Sequence, residues 1–173
     1  MSNLPLILTA IRFFGALCFP FFMIWIDSPF FLAFSYSLLA ITDWLDGIMA
    51  RRYGESLLGR LLDPLADKFL VAGPLILLTV WGRVGWYILG LVIFRELFVA
   101  TLREYAAEQG MSLRVQRIGK LKTVVQMSYI AIMLGWPAIS GMAYSLLDSS
   151  IFLITLASAL WYGFCVYQQL SIR

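Results

Sequence analysis

The chain has 173 residues, enough for one domain, and 61% of them are apolar while only 13% are charged. An ordinary soluble domain is about half apolar and about a quarter charged, so the composition excludes such a fold and indicates that lipid covers part of the surface. The net charge of +3 argues against a nucleic-acid-binding protein, and the lack of histidine excludes His-dependent triads and His-ligated metals.

The apolar residues form stretches of about the 20 residues that a membrane-spanning helix needs. The sequence therefore predicts an all-α, polytopic integral membrane protein that forms a single domain over residues 1–173. The six predicted transmembrane helices are Leu4–Ile26, Phe30–Ala50, Leu57–Trp81, Trp86–Ala107, Ile118–Trp136 and Ile151–Gln168.

Basic residues predict the orientation, because they are concentrated on the cytoplasmic side of membrane helices. Lys and Arg flank the connections between spans two and three and between spans four and five, whereas the opposite loops contain only Arg83. Both termini are therefore expected to be cytoplasmic, with the protein in the cytoplasmic (inner) membrane. Trp25, Trp81, Trp86 and Trp136 lie near the other helix ends, as expected for an interfacial aromatic belt.

Four aspartates lie near the predicted cytoplasmic ends of spans two and three. Asp43 and Asp46 are three residues apart, and Asp63 and Asp67 are four apart, so each pair lies on one helix face. The two helices are antiparallel neighbours, so four carboxylates are expected at one membrane depth. Because unpaired carboxylates would repel one another there, a bound divalent cation is predicted. All-oxygen ligands favour Mg²⁺, Mn²⁺ or Ca²⁺, and Mg²⁺ commonly shares its ligands with a substrate phosphate.

Two glycines and a cation adjoin these aspartates. Gly47 and Gly59 would let the backbone approach a bulky ligand closely, and the guanidinium of Arg51 suits a phosphate oxygen. The alternative interpretation is a charge network at the membrane interface, in which the aspartates pair with the neighbouring Lys and Arg side chains. Two helical pairs of carboxylates flanked by glycines favour the metal site.

These residues match the signature D-x-x-D-G-x-x-A-R…G-x-x-x-D-x-x-x-D, and on it the chain resembles the CDP-alcohol phosphotransferase family. The matching residues are Asp43, Asp46, Gly47, Ala50, Arg51, Gly59, Asp63 and Asp67. The segment between Arg51 and Gly59 is one residue shorter than is usual in the family, and the turn is expected to absorb this difference.

Three further stretches resemble the branch of the family that makes phosphatidylglycerophosphate. They are Asn3-Leu4-Pro5 with Thr9 and Arg12, Arg95-Glu96 with Leu102 to Tyr105, and Gly119 to Thr123 with Gln126. The resemblance implies a homodimeric enzyme that transfers the phosphatidyl group from CDP-diacylglycerol to sn-glycerol 3-phosphate and releases CMP. The alternatives are an acceptor that gives cardiolipin, phosphatidylinositol phosphate or phosphatidylserine and, from another class, a divalent-cation transporter.

The resemblance also implies roles for the signature residues. Asp43, Asp46 and Asp63 would ligate one or more divalent cations, with Mg²⁺ as the expected ion and Mn²⁺ as the alternative. Asp67 would touch a second ion and is the expected general base, which takes a proton from the acceptor hydroxyl. The residues expected to contact CDP-diacylglycerol are Asn3, Thr9, Gly47, Ala50, Arg51 and Gly59.

An anionic acceptor needs cations on the helices expected to border the aspartates. The candidates are Arg95, Arg103, Lys120 and Lys122. Arg95 and Arg103 share a helix face but lie about 12 Å apart along the axis, so one phosphate cannot easily bind both. Arg103 with one lysine is the preferred pair, and the alternative for Arg103 and Lys122 is extension to lipid headgroups. Glu96 and Glu104 are expected to pair with cations rather than to catalyse.

Overall fold

The computed structural model describes residues 4–53, 57–109, 117–139 and 141–171, and every regular element within these ranges is an α-helix. The helices are α1 (Leu4–Trp25), α2 (Pro29–Tyr53), α3 (Leu57–Val80), α4 (Trp86–Glu108), α5 (Arg117–Gly135) and α6 (Gly141–Ser171). The side chains of residues 4–9, 43–53, 57–61, 63, 117–121 and 171 lie outside the description. The all-α prediction is confirmed for the described residues.

The predicted helix bounds agree with α1 to α5 within three residues at each end, but α6 begins at Gly141, ten residues before its predicted start. The prediction was wrong there because serines and an aspartate interrupt the apolar pattern. In the structure the hydroxyls of Ser145 and Ser150 donate to carbonyls one turn earlier, at 3.3 and 2.6 Å. Asp148 is buried and accepts a hydrogen bond from Tyr87. The helix therefore continues through this polar segment.

One helix in the described part of the chain, α6, is both long and apolar enough to cross a membrane, over Gly141–Leu170. Its 31 residues span about 46 Å, close to the full thickness of a bilayer with its headgroups. Two shorter apolar helices are Ala10–Trp25 and Pro29–Thr42. The structure thus has a helix at each place where the sequence predicts one. Within the described ranges, α6 alone is long and apolar enough to meet the criterion for a membrane span.

The contacts divide the chain into two compact units. The first unit comprises Met1–Arg83 with Met127–Ala138, and the second comprises Val84–Gln126 with Ile139–Arg173. In the first unit α1 packs against both α2 and α3, and in the second α4 packs against α6. The single domain predicted for residues 1–173 stays a prediction.

Two contacts show that α1 and α3 run parallel. The rings of Phe13 and Phe69 meet edge to face with their centroids 6.3 Å apart. Further along both helices, a Cβ atom built on Gly73 would lie 2.5 Å from Cγ of Pro20. The contacting residues ascend together in the two helices, and the missing side chain at Gly73 permits the close approach, as small residues do between membrane helices.

The contacts between α1 and α2 have the opposite order. Phe19 packs against Tyr36 with ring centroids 5.5 Å apart, whereas Gly15, one turn earlier in α1, faces the later residue Leu39. The two helices are therefore antiparallel. It follows that α2 ends, and α3 begins, at the end of the first unit where α1 begins.

Three polar contacts join α4 to α6 in the second unit, and we call this set the polar seam. Tyr87 Oη donates to Asp148 Oδ2 at 2.9 Å, Arg95 Nε donates to Ser158 Oγ at 3.1 Å, and Arg103 Nε donates to Tyr162 Oη at 3.2 Å. The partners ascend together along both helices, so α4 and α6 run parallel. Interhelical hydrogen bonds of this kind hold helices together in apolar surroundings.

The close approach of α1 and α3 predicts a sharp difference between two glycines. We expect Gly73→Ala to destabilise the protein by about 1–3 kcal/mol, because the rigid ring of Pro20 cannot move away from the new methyl group. Gly90→Ala in α4 is the matched control, since no described atom lies within 4 Å of a Cβ atom there. It should be neutral or slightly stabilising, because alanine favours helix. Thermal unfolding in detergent measures both, and a parent-like melting temperature for Gly73→Ala would contradict the packing.

Candidate functional site

The four signature aspartates lie at one end of the first unit. Positions 43 and 46 belong to α2, and positions 63 and 67 belong to α3, so each pair has the helical spacing that the sequence predicts. The two members of a pair are separated by about 4.5 and about 6 Å along the helix axes. Because α2 ends and α3 begins at the same end of the unit, both pairs lie at that end.

Asp67 is the signature aspartate whose side chain is described, and it is exposed. Its neighbours Ala66 and Leu70 are buried, and Phe69 contacts α1 through Phe13. Asp67 therefore lies on the accessible side of α3, beside the contact between α1 and α3. The side chains of the other predicted metal ligands and of most predicted lipid-binding residues lie outside the description: Asp43, Asp46, Asp63, Thr9, Gly47, Ala50, Arg51 and Gly59. Asn3 lies outside it entirely.

A buried cation, Arg12, lies near the same end of the first unit. Arg12 of α1 is 4% exposed and precedes Phe13, whose ring contacts Phe69. Because α1 and α3 are parallel, Arg12 is close in depth to Asp67. A guanidinium is buried at high cost unless anions or hydrogen-bond acceptors surround it. The sequence signal for this residue was a lone cation inside an apolar span.

The second unit contains a buried group of charges, which we call the charged triad: Arg95, Glu96 and Lys122. Arg95 Nη1 donates to Glu96 Oε1 at 3.1 Å, and Lys122 Nζ donates to the same oxygen. Arg95 and Lys122 are 3% and 6% exposed, whereas the side chain of Glu96 is 29% exposed. Two cations share one anion, so the triad has a net charge of +1.

The sequence of α4 explains why Arg95 is buried. Arg95 occupies the same helical stripe as the buried residues Ile88, Val92 and Val99. Its Nε–H donates to Ser158 Oγ, and this hydroxyl in turn donates to the carbonyl oxygen of Thr155 at 2.9 Å. The guanidinium is therefore oriented by Ser158 from α6 and by Glu96 from its own helix.

The contacts of the charged triad test two predictions made from the sequence. Lys122 does not extend to lipid headgroups, because it is buried and paired with Glu96. Glu96 is confirmed as a partner of the neighbouring cations. The two contacts also join Lys122 to Arg95, whereas the preferred pair had been Arg103 with a lysine.

Arg103 lies apart from the triad contacts, two turns further along α4. It is exposed, its Cζ lies 5.3 Å from the ring centroid of Tyr162, and its Nε donates to the hydroxyl of that residue. The distance of two turns from Arg95 agrees with the sequence spacing. The side chain of Lys120 lies outside the description. Ser158 and Tyr162 had no sequence signal, because isolated polar residues in an apolar helix do not reveal which helix they face.

The chain matches the family model described as CDP-alcohol phosphatidyltransferase over residues 2–162. It is 40% identical over 149 residues to the CDP-diacylglycerol–glycerol-3-phosphate 3-phosphatidyltransferase of Escherichia coli strain K12, with 79% of each chain covered. Relatives with the same name from Escherichia coli O157:H7 and Shigella flexneri serotype 5b show the same identity and coverage. The range of the family match includes the aspartate pairs and the charged triad.

The triad predicts a stability effect at Glu96. We expect Glu96→Gln to lower the unfolding free energy by about 2 kcal/mol, because two buried cations lose the anion between them. Glu104→Gln is the matched control, since Glu104 is an exposed glutamate on the same helix. Thermal unfolding in detergent compares the two variants. Equal melting temperatures would show that Glu96 does not stabilise the cations.

Proposed function

The chain belongs to the CDP-alcohol phosphatidyltransferase family, and we propose that it transfers the phosphatidyl group of CDP-diacylglycerol to sn-glycerol 3-phosphate. The observation that carries this proposal is the 40% identity to relatives named for that reaction, over 79% of both chains. The family and the reaction are those predicted from the sequence. A hydroxyl oxygen of the acceptor forms a bond to the β-phosphorus, the bond from that phosphorus to CMP breaks, and phosphatidylglycerophosphate is formed.

The acidic end of the first unit fits a divalent cation by its donor chemistry. Asp43, Asp46 and Asp63 would hold the ion, with Asp67 touching a second one, and oxygen donors alone favour Mg²⁺, then Mn²⁺. The support is the helical spacing of both pairs and their position at one end of the unit. Such an ion, when bound, neutralises charge on the pyrophosphate and on the leaving group. The residues that would contact CDP-diacylglycerol remain Asn3, Thr9, Gly47, Ala50, Arg51 and Gly59.

Asp67 is the proposed general base. It takes the proton of the acceptor hydroxyl while the hydroxyl oxygen attacks phosphorus, and the proton remains on the carboxylate until it is released to solvent. The exposure of Asp67 supports this role, because a soluble acceptor must reach the base. Its position one helical turn after Asp63 would place the base beside the proposed metal ligands.

The charged triad is the proposed binding site for the acceptor phosphate. The guanidinium of Arg95 has five N–H donors, of which the contacts with Ser158 and Glu96 use two, and its planar fork suits phosphate oxygens. The ammonium of Lys122 adds a point charge. The net charge of +1 attracts an anion, and a phosphate would compete with Glu96 for both cations. Arg103 and Lys120 are the proposed secondary contacts.

We also propose that all six helices cross the inner membrane as a homodimer, with both termini in the cytoplasm. Parallel pairs α1–α3 and α4–α6 and the antiparallel pair α1–α2 have the directions that alternate crossings require. The basic residues at the α2–α3 and α4–α5 connections support their cytoplasmic placement. The homodimer rests on the family resemblance.

The experiment that tests the reaction is an acceptor panel. The purified protein in detergent is incubated with CDP-diacylglycerol, Mg²⁺ and glycerol 3-phosphate, inositol phosphate, serine or phosphatidylglycerol, and CMP release is measured. Release with glycerol 3-phosphate alone is expected, EDTA should stop it, and Mg²⁺ or Mn²⁺ should restore it. Release with a different acceptor alone would assign another reaction of the family. If no acceptor gives CMP release, the enzymatic function is excluded and the divalent-cation transporter becomes the better hypothesis.

If Asp67 is the general base, replacing it should lower turnover without preventing the binding of CDP-diacylglycerol. Asp67→Asn should lower kcat by about 10²–10⁴-fold, because an amide cannot accept the hydroxyl proton, while CDP-diacylglycerol still binds. Asp27→Asn, at an exposed aspartate between α1 and α2, is the control and should keep the parent rate. CMP release and equilibrium lipid binding measure the two effects. Turnover by Asp67→Asn at the parent rate would remove Asp67 from the mechanism.

A further inference from the structure

Gln126 of α5 has a buried side-chain amide that contributes no hydrogen bond to the described part of the fold. It is 2% exposed, and within the described part of the chain neither its Nε2 nor its Oε1 has a hydrogen-bond partner. Unpartnered polar atoms in buried positions lower stability, and an apolar side chain of similar shape would avoid that loss. A buried amide of this kind can bind a ligand that offers both a hydrogen-bond donor and an acceptor.

The position of Gln126 connects it with the proposed phosphate site. It follows Lys122 by one helical turn, about 6 Å along the axis, so both residues lie on the same side of α5. Lys122 belongs to the charged triad and is also buried. A spacing of one turn is comparable with the length of a three-carbon phosphate ester. An acceptor whose phosphate binds the triad would thus be long enough for its hydroxyl groups to reach Gln126.

On the premise of the proposed function, we infer that Gln126 binds the non-reacting hydroxyl of the acceptor, at C2 of glycerol 3-phosphate, and thereby determines specificity. Nε2–H donates to the hydroxyl oxygen, and the hydroxyl proton is donated to Oε1. The reacting hydroxyl needs a base that removes its proton, and an amide is not such a base. The amide therefore suits the hydroxyl that stays intact, while the phosphate binds Arg95 and Lys122.

This assignment separates affinity from selectivity. The two cations of the triad attract any phosphate monoester, so their charge cannot distinguish one from another. A buried amide can, because an acceptor that lacks the matching hydroxyl leaves both amide atoms unpaired. Recognition of a hydroxyl by a polar group is also more selective than exclusion by shape alone.

The test compares glycerol 3-phosphate with 3-hydroxypropyl phosphate, which lacks the C2 hydroxyl and keeps the reacting one. The parent protein should prefer glycerol 3-phosphate in kcat/KM by roughly tenfold or more. Gln126→Leu should bring this ratio close to one, chiefly by losing activity on glycerol 3-phosphate. Its melting temperature should equal or exceed that of the parent, because the unpartnered amide is gone.

Tyr36→Phe is the matched control. Tyr36 is completely buried in the first unit, and its hydroxyl has no hydrogen-bond partner among the described residues. Removing this hydroxyl should leave the melting temperature equal or higher and should leave the substrate ratio at the parent value. A fall in the ratio for Tyr36→Phe equal to that for Gln126→Leu would overturn the inference, since general repacking would then explain both.

An unchanged ratio in Gln126→Leu would overturn the inference while the proposed function stands, because the parent still releases CMP with glycerol 3-phosphate. If the parent releases none, the proposed function itself has failed and the premise is lost.

If the leucine variant does not fold, thermal unfolding of the parent protein tests the inference instead. At equal concentration, glycerol 3-phosphate should raise its melting temperature more than 3-hydroxypropyl phosphate does. Equal shifts would overturn the role of Gln126.

Discussion

A charge buried in an apolar helix must be paired, and the organisation of the second unit depends on how Arg95 meets this requirement. Its guanidinium lies in the buried stripe of α4, where an unpaired cation would be strongly destabilising. Ser158 of α6 and Glu96 satisfy two of its donors, and Glu96 also binds Lys122 of α5. One buried cation thus connects three helices through hydrogen bonds and charge.

The two units contain different kinds of stabilising contact. The first unit has close packing, with Gly73 against Pro20 and Phe13 against Phe69, and such contacts favour one rigid arrangement of α1 and α3. The second unit depends on polar contacts. Hydrogen bonds and ion pairs can be exchanged for equivalent bonds to a ligand, whereas packed rings cannot. A phosphate that replaced Glu96 on Lys122 would keep that cation paired, while Glu96 could keep its contact with Arg95.

The sequence predicts well the helices and the positions of the four aspartates within them, because both depend on local periodicity. Long apolar stretches must be helices in lipid, and spacings of three and four residues place carboxylates on one face. It predicts tertiary partners poorly, because periodicity shows that a residue faces inwards but not which helix it meets. Lys122 was therefore expected near Arg103 or the headgroups, whereas it binds Glu96. The start of α6 was missed for a related reason, since the partner that satisfies Asp148 is the distant Tyr87.

In the proposed reaction the choice of acceptor would depend on the second unit, because the aspartates would serve a step that is the same for every acceptor. A triad with net positive charge gives no advantage to serine, which has no phosphate, and so favours phosphate esters. Among phosphate esters the charges are alike, and the difference lies in the number and position of hydroxyl groups. A neutral group that both donates and accepts hydrogen bonds can make that distinction. In the described part of the second unit, the buried amide of Gln126 has neither its donor nor its acceptor in a hydrogen bond, and it lies one helical turn from Lys122 of the triad.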